Sequence, residues 1–209
     1  MDPAVGIQGD CAPRFAAVRE AFAANFAAGR EVGASFAASV DGRVVVDLWA
    51  GHADAAGTRP WERDTIVNVW SVTKAMTALC AHVLVDRGLL DVDAPVAEYW
   101  PEFAQAEKGA LPVRHVLAHQ AGLAAIRAPL PPDAFYDWSC MTNALAAESP
   151  WWEPGSASGY HALTFGFLVG ELVRRITGRT LGTFLRDALT VIAHNHVSTS
   201  NDDGFGVLG

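Results

Sequence analysis

The sequence predicts an α/β (α+β) fold in which helices flank an antiparallel β-sheet. Three observations predict this class. A helix-like segment at residues 13–28 precedes two strand-like runs joined at Asp41-Gly42, and most of the chain after residue 71 has apolar residues at helical spacing. The expected order is therefore helix, hairpin, strand and then a mostly helical region.

The first third of the chain contains the predicted sheet. Residues 13–28 are rich in alanine, with Phe22 and Phe26 on one helix face, and Gly29 ends this helix. Residues 34–40 and 44–51 are the two hairpin strands, because Asp41-Gly42 suits a tight turn with positive φ. A further short strand is expected at residues 65–70, where β-branched residues are concentrated.

Helices are predicted for most of the remaining chain. One begins at residue 71 and ends before Gly88, a short one covers residues 112–117, and a longer one covers residues 160–177 before Gly178. The segment at residues 128–133 contains three prolines and is predicted to be a loop.

Composition excludes several classes of protein. A hydrophobic fraction of 51% with 18% charged residues is typical of a globular domain, and the net charge of −8 without a basic cluster argues against a nucleic-acid partner. Apolar runs are too short to span a membrane, and the first residues resemble no signal peptide, so we expect a cytoplasmic protein without a membrane partner. Cys11, Cys80 and Cys140 are odd in number and widely spaced, which favours buried free thiols.

Ser71 and Lys74 are the first candidates for a catalytic site. The chain has two lysines and thirteen arginines, and a lysine, unlike an arginine, can release its proton when it is desolvated. Residues i and i+3 share a helix face, so the Lys74 amine can approach the Ser71 hydroxyl as its base. A Ser-x-x-Lys match arises by chance in roughly one such chain in ten. An N-cap serine beside a solvated lysine is an equally good local interpretation.

The order of several motifs resembles one known family. Ser71-Val72-Thr73-Lys74 and its helix resemble the nucleophile element of the serine β-lactamase and penicillin-binding-protein superfamily, most closely its esterase-like branch of family VIII-type carboxylesterases. Residues 89–96 and 113–123 resemble the segments that follow, and residues 150–162 resemble a Pro-Gly and Tyr-x-Asn segment. The resemblance implies a β-lactamase/transpeptidase-like architecture: an antiparallel sheet flanked by helices, with a helical subdomain.

The resemblance also implies a mechanism. Ser71 would attack an acyl carbon and form an acyl-serine intermediate, while Lys74 and Tyr160 would move the protons. Either a cationic Lys74 lowers the pKa of the Tyr160 phenol, or a neutral Lys74 is itself the base; the two titrations are coupled, so the sequence leaves both open. The alternative for Tyr160 is a packed aromatic residue without a catalytic role.

One departure from the family pattern bears on the substrate. Ala162 stands where β-lactamases commonly carry an asparagine, which favours a small-molecule ester over a β-lactam or peptide amide. A β-lactamase or D-alanyl-D-alanine carboxypeptidase is the alternative within the same chemistry. For the neighbouring His161, a structural hydrogen bond is favoured over a place in the cleft.

A second departure lies at the end of the chain. The Lys-Thr-Gly or His-x-Gly motif of the family has no counterpart here, and the resemblance is lost after Asp187. We therefore predict a partial β-lactamase-related domain at residues 1–187 and a divergent tail at 188–209. This keeps a catalytically silent fragment or binding module as an alternative, and a weakly active or aggregation-prone chain is expected.

Metal and cofactor chemistry receives little support from the sequence. His115 and His119 are spaced i, i+4 and could share a helix face, but no third ligand is evident. No cofactor and no metal site are therefore predicted, and the sequence leaves the oligomeric state open.

Overall fold

The computed structural model describes residues 5–189, which divide into two compact units at residue 67. The expected α/β (α+β) class is confirmed, since a small antiparallel sheet is combined with helices. The strands are β1 Gln8–Cys11, β2 Gly33–Val40 and β3 Arg43–Gly51. The helices are α1 Ala16–Ala27, α2 Thr73–Asp86, α3 Val96–Tyr99, α4 Val113–Leu117, α5 Trp138–Ala147, α6 Thr164–Thr177 and α7 Leu181–Leu189.

The first unit contains α1 and the three strands. The predicted hairpin is confirmed: β2 and β3 pair antiparallel, and Asp41 and Gly42 both have positive φ, at 51° and 72°. Both central residues of a type I′ turn have this conformation, and it matches the twist of the two strands. β3 lies at the centre of the sheet because β1 pairs along its other edge, with Gln8 opposite Trp49 and Cys11 opposite Val46.

Two expectations about strands were wrong. β1 was not predicted, because Gln8-Gly9-Asp10-Cys11 has no alternation of apolar and polar residues and is extended only through its pairing with β3. The strand expected at residues 65–70 does not form. Its Ile66 is 63% exposed, and Thr65 instead closes a turn with Glu62, since its N–H donates to the Glu62 carbonyl. β-Branched residues favour a strand only where a neighbouring strand offers hydrogen-bond partners.

The second unit is built around α6. Thr164 to Val173 are all buried, and α6 packs against α2, α4, α5 and α7. Burial of a phenylalanine or leucine side chain contributes about 1.5–3 kcal/mol, so Phe165, Phe167, Leu168 and Leu172 make α6 the main stabilising element of this unit. The predicted end at Gly178 is confirmed by its φ of 70°, but α6 begins at Thr164 and not at residue 160. Tyr160 therefore precedes the helix.

Other expectations for this unit are confirmed. α2 is followed by Gly88 with a φ of 67°, α4 covers the predicted short helix, and residues 128–133 form a loop. The three cysteines are free, although only Cys80 is fully buried; its burial raises the pKa of the thiol to about 12, which makes it unreactive. The predicted boundary at residue 187 stays a prediction, and residues 190–209 of the expected divergent tail lie outside the described part of the chain.

Among the buried charged side chains of this unit, Lys108 and Glu171 are two that are fully hydrogen-bonded. Lys108 is 1% exposed, and its Nζ donates to three carbonyl oxygens, those of Gln105, Ala146 and Glu148, at 2.9, 2.9 and 2.6 Å. An ammonium group has three N–H donors, so each donor has an acceptor. Burial lowers the pKa of Lys108 to about 8, and the amine stays mostly protonated at neutral pH. Lys108 thereby provides hydrogen-bond donors for carbonyl groups at the end of α5, where the last carbonyls of a helix have no partner within it.

Glu171 on α6 is the second buried charge. Its carboxylate accepts hydrogen bonds from the Trp138 indole N–H and from the guanidinium groups of Arg174 and Arg175, each at 2.7 Å. Burial raises the pKa of this carboxyl, but the hydrogen bonds outweigh burial and the pKa is lowered overall. The carboxylate thus joins α6 to α5.

Replacing Lys108 by methionine tests its structural role. We expect Lys108→Met to lower the free energy of unfolding by about 2–4 kcal/mol, because three buried carbonyl oxygens lose their donor. Urea denaturation followed by circular dichroism measures the change. Arg30→Met, which removes an exposed cation, is the control and should change the free energy by less than about 0.5 kcal/mol. Equal stabilities of the two variants would show that Lys108 is not a structural anchor.

Candidate active site

Ser71 lies in a 3₁₀ turn, Trp70–Val72, that leads directly into α2. The expected position at a helix start is therefore confirmed. The first backbone N–H groups of a helix have no carbonyl partner within it, and the positive end of the helix dipole favours a negative charge nearby. The sequence thus places a hydroxyl group where a developing oxyanion is stabilised.

The residue before Ser71 has an unusual backbone conformation. Trp70 has a φ of 49°, and its N–H donates to the Asn68 side-chain oxygen at 2.9 Å. A left-handed conformation costs a bulky residue about 1–2 kcal/mol, so the surrounding structure must hold it in place. The sequence gives no signal for this conformation.

Lys74 lies one helical turn after Ser71, as its spacing predicts. The Lys74 Nζ is 3.3 Å from the Ser71 Oγ and donates to it. The distance is long for a hydrogen bond, but the two groups are within reach of proton transfer. The i, i+3 geometry of the helix is sufficient to bring these side chains together.

Tyr160 completes the arrangement from a distant part of the chain. Its hydroxyl lies 2.7 Å from the Ser71 Oγ, and the Lys74 Nζ lies 5.0 Å from the centre of its ring. The side chain is 56% exposed, so a substrate can reach it. All three residues predicted as catalytic are therefore in mutual contact.

The pKa of Tyr160 is lowered from its ordinary value. The main causes are the hydrogen bond with Ser71, the hydrogen bond with Lys74 and the positive charge of Lys74. A neutral phenol donates to the Ser71 oxygen, whereas a phenolate accepts the Ser71 hydroxyl proton. Both neighbours thus favour the charged form, which is the form able to act as a base.

His161 has a structural role, as expected. It is fully buried; its Nε2 accepts the Leu123 backbone N–H at 3.0 Å, and its Nδ1 contacts the Gly159 carbonyl at 2.6 Å. An N–H can only donate and a carbonyl can only accept, so the ring is neutral with its proton on Nδ1. Burial lowers the pKa of His161, which keeps it neutral.

His119, considered from the sequence only as one of two possible metal ligands, lies beside Tyr160. Its ring centre lies 5.2 Å from that of Tyr160, and its Nδ1 accepts the His161 backbone N–H at 3.1 Å. The shared helix face expected for His115 and His119 does not exist, because α4 ends at Leu117 and His119 has a φ of 58°. Within residues 5–189, no group of three or more His, Cys, Asp or Glu side chains is arranged to hold a metal ion.

The fold and this Ser–Lys–Tyr arrangement define the class of serine β-lactamase-like and penicillin-binding-protein-like domains. The sequence model described as Beta-lactamase matches residues 18–202, and the chain belongs to this family. The resemblance inferred from the sequence is thereby confirmed.

Individual relatives include esterases. The chain is 47% identical over 177 residues to the esterase/beta-lactamase LipL of Mycobacterium tuberculosis. The matched region covers 85% of this chain and 41% of that protein. It is 37% identical over 98 residues to the esterase EstB of Burkholderia gladioli, covering 45% and 25% of the two chains.

Solved structures agree with the expected architecture. A family VIII carboxylesterase superposes with a TM-score of 0.82 at 50% identity, covering 87% of this chain and 50% of the other. A penicillin-binding-protein homologue from Caulobacter crescentus superposes with a TM-score of 0.85 at 48% identity, covering 89% and 50%. The chain therefore spans about half the length of the structures it matches.

Other properties of the described residues bear on location. No helix between residues 5 and 189 is both long and apolar enough to cross a membrane. The cytoplasmic location expected from the sequence stays a prediction.

The Tyr160 titration tests the electrostatics of the site. We expect the phenol pKa to rise in Lys74→Ala and in Ser71→Ala, because each variant loses a group that favours the phenolate. Ultraviolet absorbance against pH measures the ionised phenol, and Tyr160→Phe identifies its share among the three tyrosines of the chain. An unchanged phenol pKa in Lys74→Ala would show that Lys74 does not act on Tyr160.

The imidazoles of half-buried His119 and buried His161 predict a loss of stability in acid. Burial lowers the pKa of both His119 and His161 below the ordinary value of 6.5. A lowered pKa means that the unfolded chain binds protons more readily, so their contribution to stability is complete above about pH 6.5 and is lost as the pH falls through the lowered values. Thermal unfolding from about pH 7.5 to about pH 5 measures the loss of stability, and His161→Phe should make stability depend less steeply on pH. An equally steep dependence in that variant would contradict the assignment of this loss to His161.

Proposed function

We propose that the chain is a serine hydrolase that cleaves carboxylic esters through an acyl-Ser71 intermediate. The observation that carries the proposal is the contact of the Ser71 Oγ with both the Lys74 Nζ, at 3.3 Å, and the Tyr160 hydroxyl, at 2.7 Å. A weak nucleophile needs a base within hydrogen-bond reach, and these two groups are within reach of one hydroxyl. Two relatives named as esterases and the structure of a family VIII carboxylesterase support the same reaction class.

Tyr160 is the proposed base for the first step. Its phenolate accepts the Ser71 hydroxyl proton as the Oγ attacks the acyl carbon, and cationic Lys74 stabilises the phenolate. The hydrogen bonds with Ser71 and Lys74 and the Lys74 charge lower the pKa of Tyr160, which supports a phenolate as the base; a neutral Lys74 as the base is the alternative. The proton then moves from the phenol to the leaving alkoxide, and the ester bond breaks.

In the second step, water replaces Ser71 as the nucleophile, and Tyr160 again accepts a proton and then returns it. The phenolate, regenerated when the alcohol leaves, accepts a proton from water, and the resulting hydroxide equivalent attacks the acyl carbon of the intermediate. The Ser71 oxygen then leaves with the proton that Tyr160 returns, so the free acid is released and the enzyme is restored. The Ser71 backbone N–H at the helix start is a proposed donor to the oxyanion of both steps.

The residues after Tyr160 favour an ester substrate. Ala162 and Leu163 are exposed, and neither carries a polar group for a β-lactam carbonyl or a peptide amide. A site without such a donor or acceptor favours smaller, less polar acyl groups. We therefore infer a small-molecule ester as substrate.

A β-lactamase or D-alanyl-D-alanine carboxypeptidase is the second candidate. The Mycobacterium tuberculosis relative is named a β-lactamase as well as an esterase, and one structural neighbour is a penicillin-binding-protein homologue. A catalytically silent fragment or binding module is the third candidate, because the chain spans only about half of its structural neighbours.

Ester hydrolysis by the purified chain tests the proposal. We expect p-nitrophenyl butyrate to be hydrolysed, Ser71→Ala to abolish activity, and Lys74→Ala and Tyr160→Phe each to lower kcat by about 100- to 10,000-fold, as expected for loss of a proton-transfer group. Covalent labelling of Ser71 by a fluorophosphonate, followed by mass spectrometry of the intact chain, measures acylation separately from turnover.

Controls separate the three candidates. Ser139→Ala changes a serine outside the site and should leave hydrolysis unchanged. Nitrocefin turnover without ester turnover would replace the proposal by the β-lactamase alternative. Neither turnover nor labelling in a chain that unfolds cooperatively would favour the silent fragment.

A further inference from the structure

We infer that His119 is a positioning residue that holds the Tyr160 hydroxyl against Ser71. This inference rests on the proposed function, because Tyr160 is the group whose position matters. His119 contacts the Tyr160 ring and the backbone on both sides of it, so its proposed effect passes through Tyr160. Three contacts support the inference, two through the backbone of residues 159–161 and one through the tyrosine ring.

The backbone contacts lie on both sides of Tyr160. The Gly159 N–H donates to the His119 carbonyl at 3.0 Å, and the His161 N–H donates to the His119 Nδ1 at 3.1 Å. A single residue thus binds the peptide groups before and after the tyrosine. Since the two bonds are separated by one residue, they fix the direction in which the Tyr160 side chain leaves the backbone.

The ring of His119 supports the tyrosine ring directly. The two ring centres are 5.2 Å apart, and the ring centre of Phe165 on α6 lies 4.8 Å from that of His119. Tilted aromatic pairs at these distances attract each other. Because Phe165 is buried, His119 transmits the fixed position of α6 to the exposed tyrosine.

Neighbouring bonds strengthen the same attachment. His161 links the Gly159 carbonyl to the Leu123 N–H, and the Thr164 hydroxyl donates to the Leu123 carbonyl at 2.6 Å. Gly159 itself cannot be replaced easily, since an added Cβ would lie 2.4 Å from the Trp152 ring. Segments 119–123 and 159–164 are therefore held together by hydrogen bonds at several points.

The contact to His161 requires a neutral His119. The Nδ1 atom accepts a hydrogen bond and must carry a lone pair, which an imidazolium ion lacks. The ring faces Lys74 of α2, Tyr160 and His161 of the adjacent segment, and Phe165 of α6. Burial and the Lys74 charge both lower the pKa of His119, which keeps the lone pair available.

The backbone of His119 identifies the most informative substitutions. Its φ of 58° is in the left-handed region, which asparagine tolerates better than other non-glycine residues. The Oδ1 of an asparagine can take the place of the His119 Nδ1 as acceptor, whereas a phenylalanine keeps the ring but has no acceptor. His119→Asn and His119→Phe therefore separate the hydrogen bond from the ring.

The test measures the Tyr160 phenol pKa and the ester kinetics of both variants. Neutral His119 adds no charge, so a change in the phenol pKa reports a change in the distances from Tyr160 to Ser71 and Lys74. We expect His119→Phe to raise the phenol pKa toward 10.0 and to lower kcat by about 100-fold with little change in KM, since displacement of a catalytic group by about 1 Å costs this much. His119→Asn should keep the lowered pKa and stay within about 10-fold of the parent kcat.

Controls distinguish positioning from a general loss of structure. His82→Phe replaces an exposed histidine of α2 and should change neither quantity. Thermal unfolding identifies any variant that fails to fold. If His119→Phe fails to fold, the phenol pKa and the kcat of His119→Asn decide. The phenol titration does not depend on turnover, so it tests the inference even if the ester proposal fails. An unchanged phenol pKa in a folded His119→Phe variant would overturn the inference. So would equal losses of kcat in His119→Phe and His119→Asn.

Discussion

The burial of α6 is the constraint on which the proposed active site depends. Tyr160 belongs to the segment that leads into this helix, and the packing of α6 against α2 fixes how far that segment lies from Ser71. The apolar side chains of α6 stabilise this packing, while the Glu171 carboxylate ties α6 to α5 through Trp138. A distance of 2.7 Å between residues 89 positions apart therefore follows from the core and not from the local chain.

The sequence predicts the contact of Ser71 with Lys74 better than it predicts the positions of Tyr160 and His119. The contact of Ser71 with Lys74 follows from helical geometry, which places residues i and i+3 on one face. The position of Tyr160 depends on long-range packing, and only the resemblance of residues 150–162 to a known family identified it. The role of His119 depends on a positive φ and on hydrogen bonds to a distant segment, neither of which has a pattern in the sequence.

The same distinction explains the successes and failures for the fold. The hairpin at Asp41-Gly42 and the helix ends at Gly88 and Gly178 were predicted correctly because single residues determine those conformations. The strand expected at residues 65–70 failed because β-propensity needs a neighbouring strand. Lysine is rare in this chain, yet Lys108 is a buried structural residue. Rarity therefore did not distinguish the two lysines, whereas the spacing of Lys74 from Ser71 did.

The uncharged histidines and the charged Lys74 have different roles in the proposed site. His119 and His161 bind the backbone around Tyr160 as neutral imidazoles, and a charge on the His119 ring would lie near the Lys74 cation and the phenol. A cationic His119 would lower the phenol pKa further but would lose its bond to His161 and release the tyrosine. Position and charge are thus assigned to different residues: the histidines fix where the phenol lies, and Lys74 supplies the charge that stabilises its phenolate form. Substitutions at His119 and Lys74 should for this reason differ in kind, since the first moves the proposed base, Tyr160, and the second changes its basicity in place.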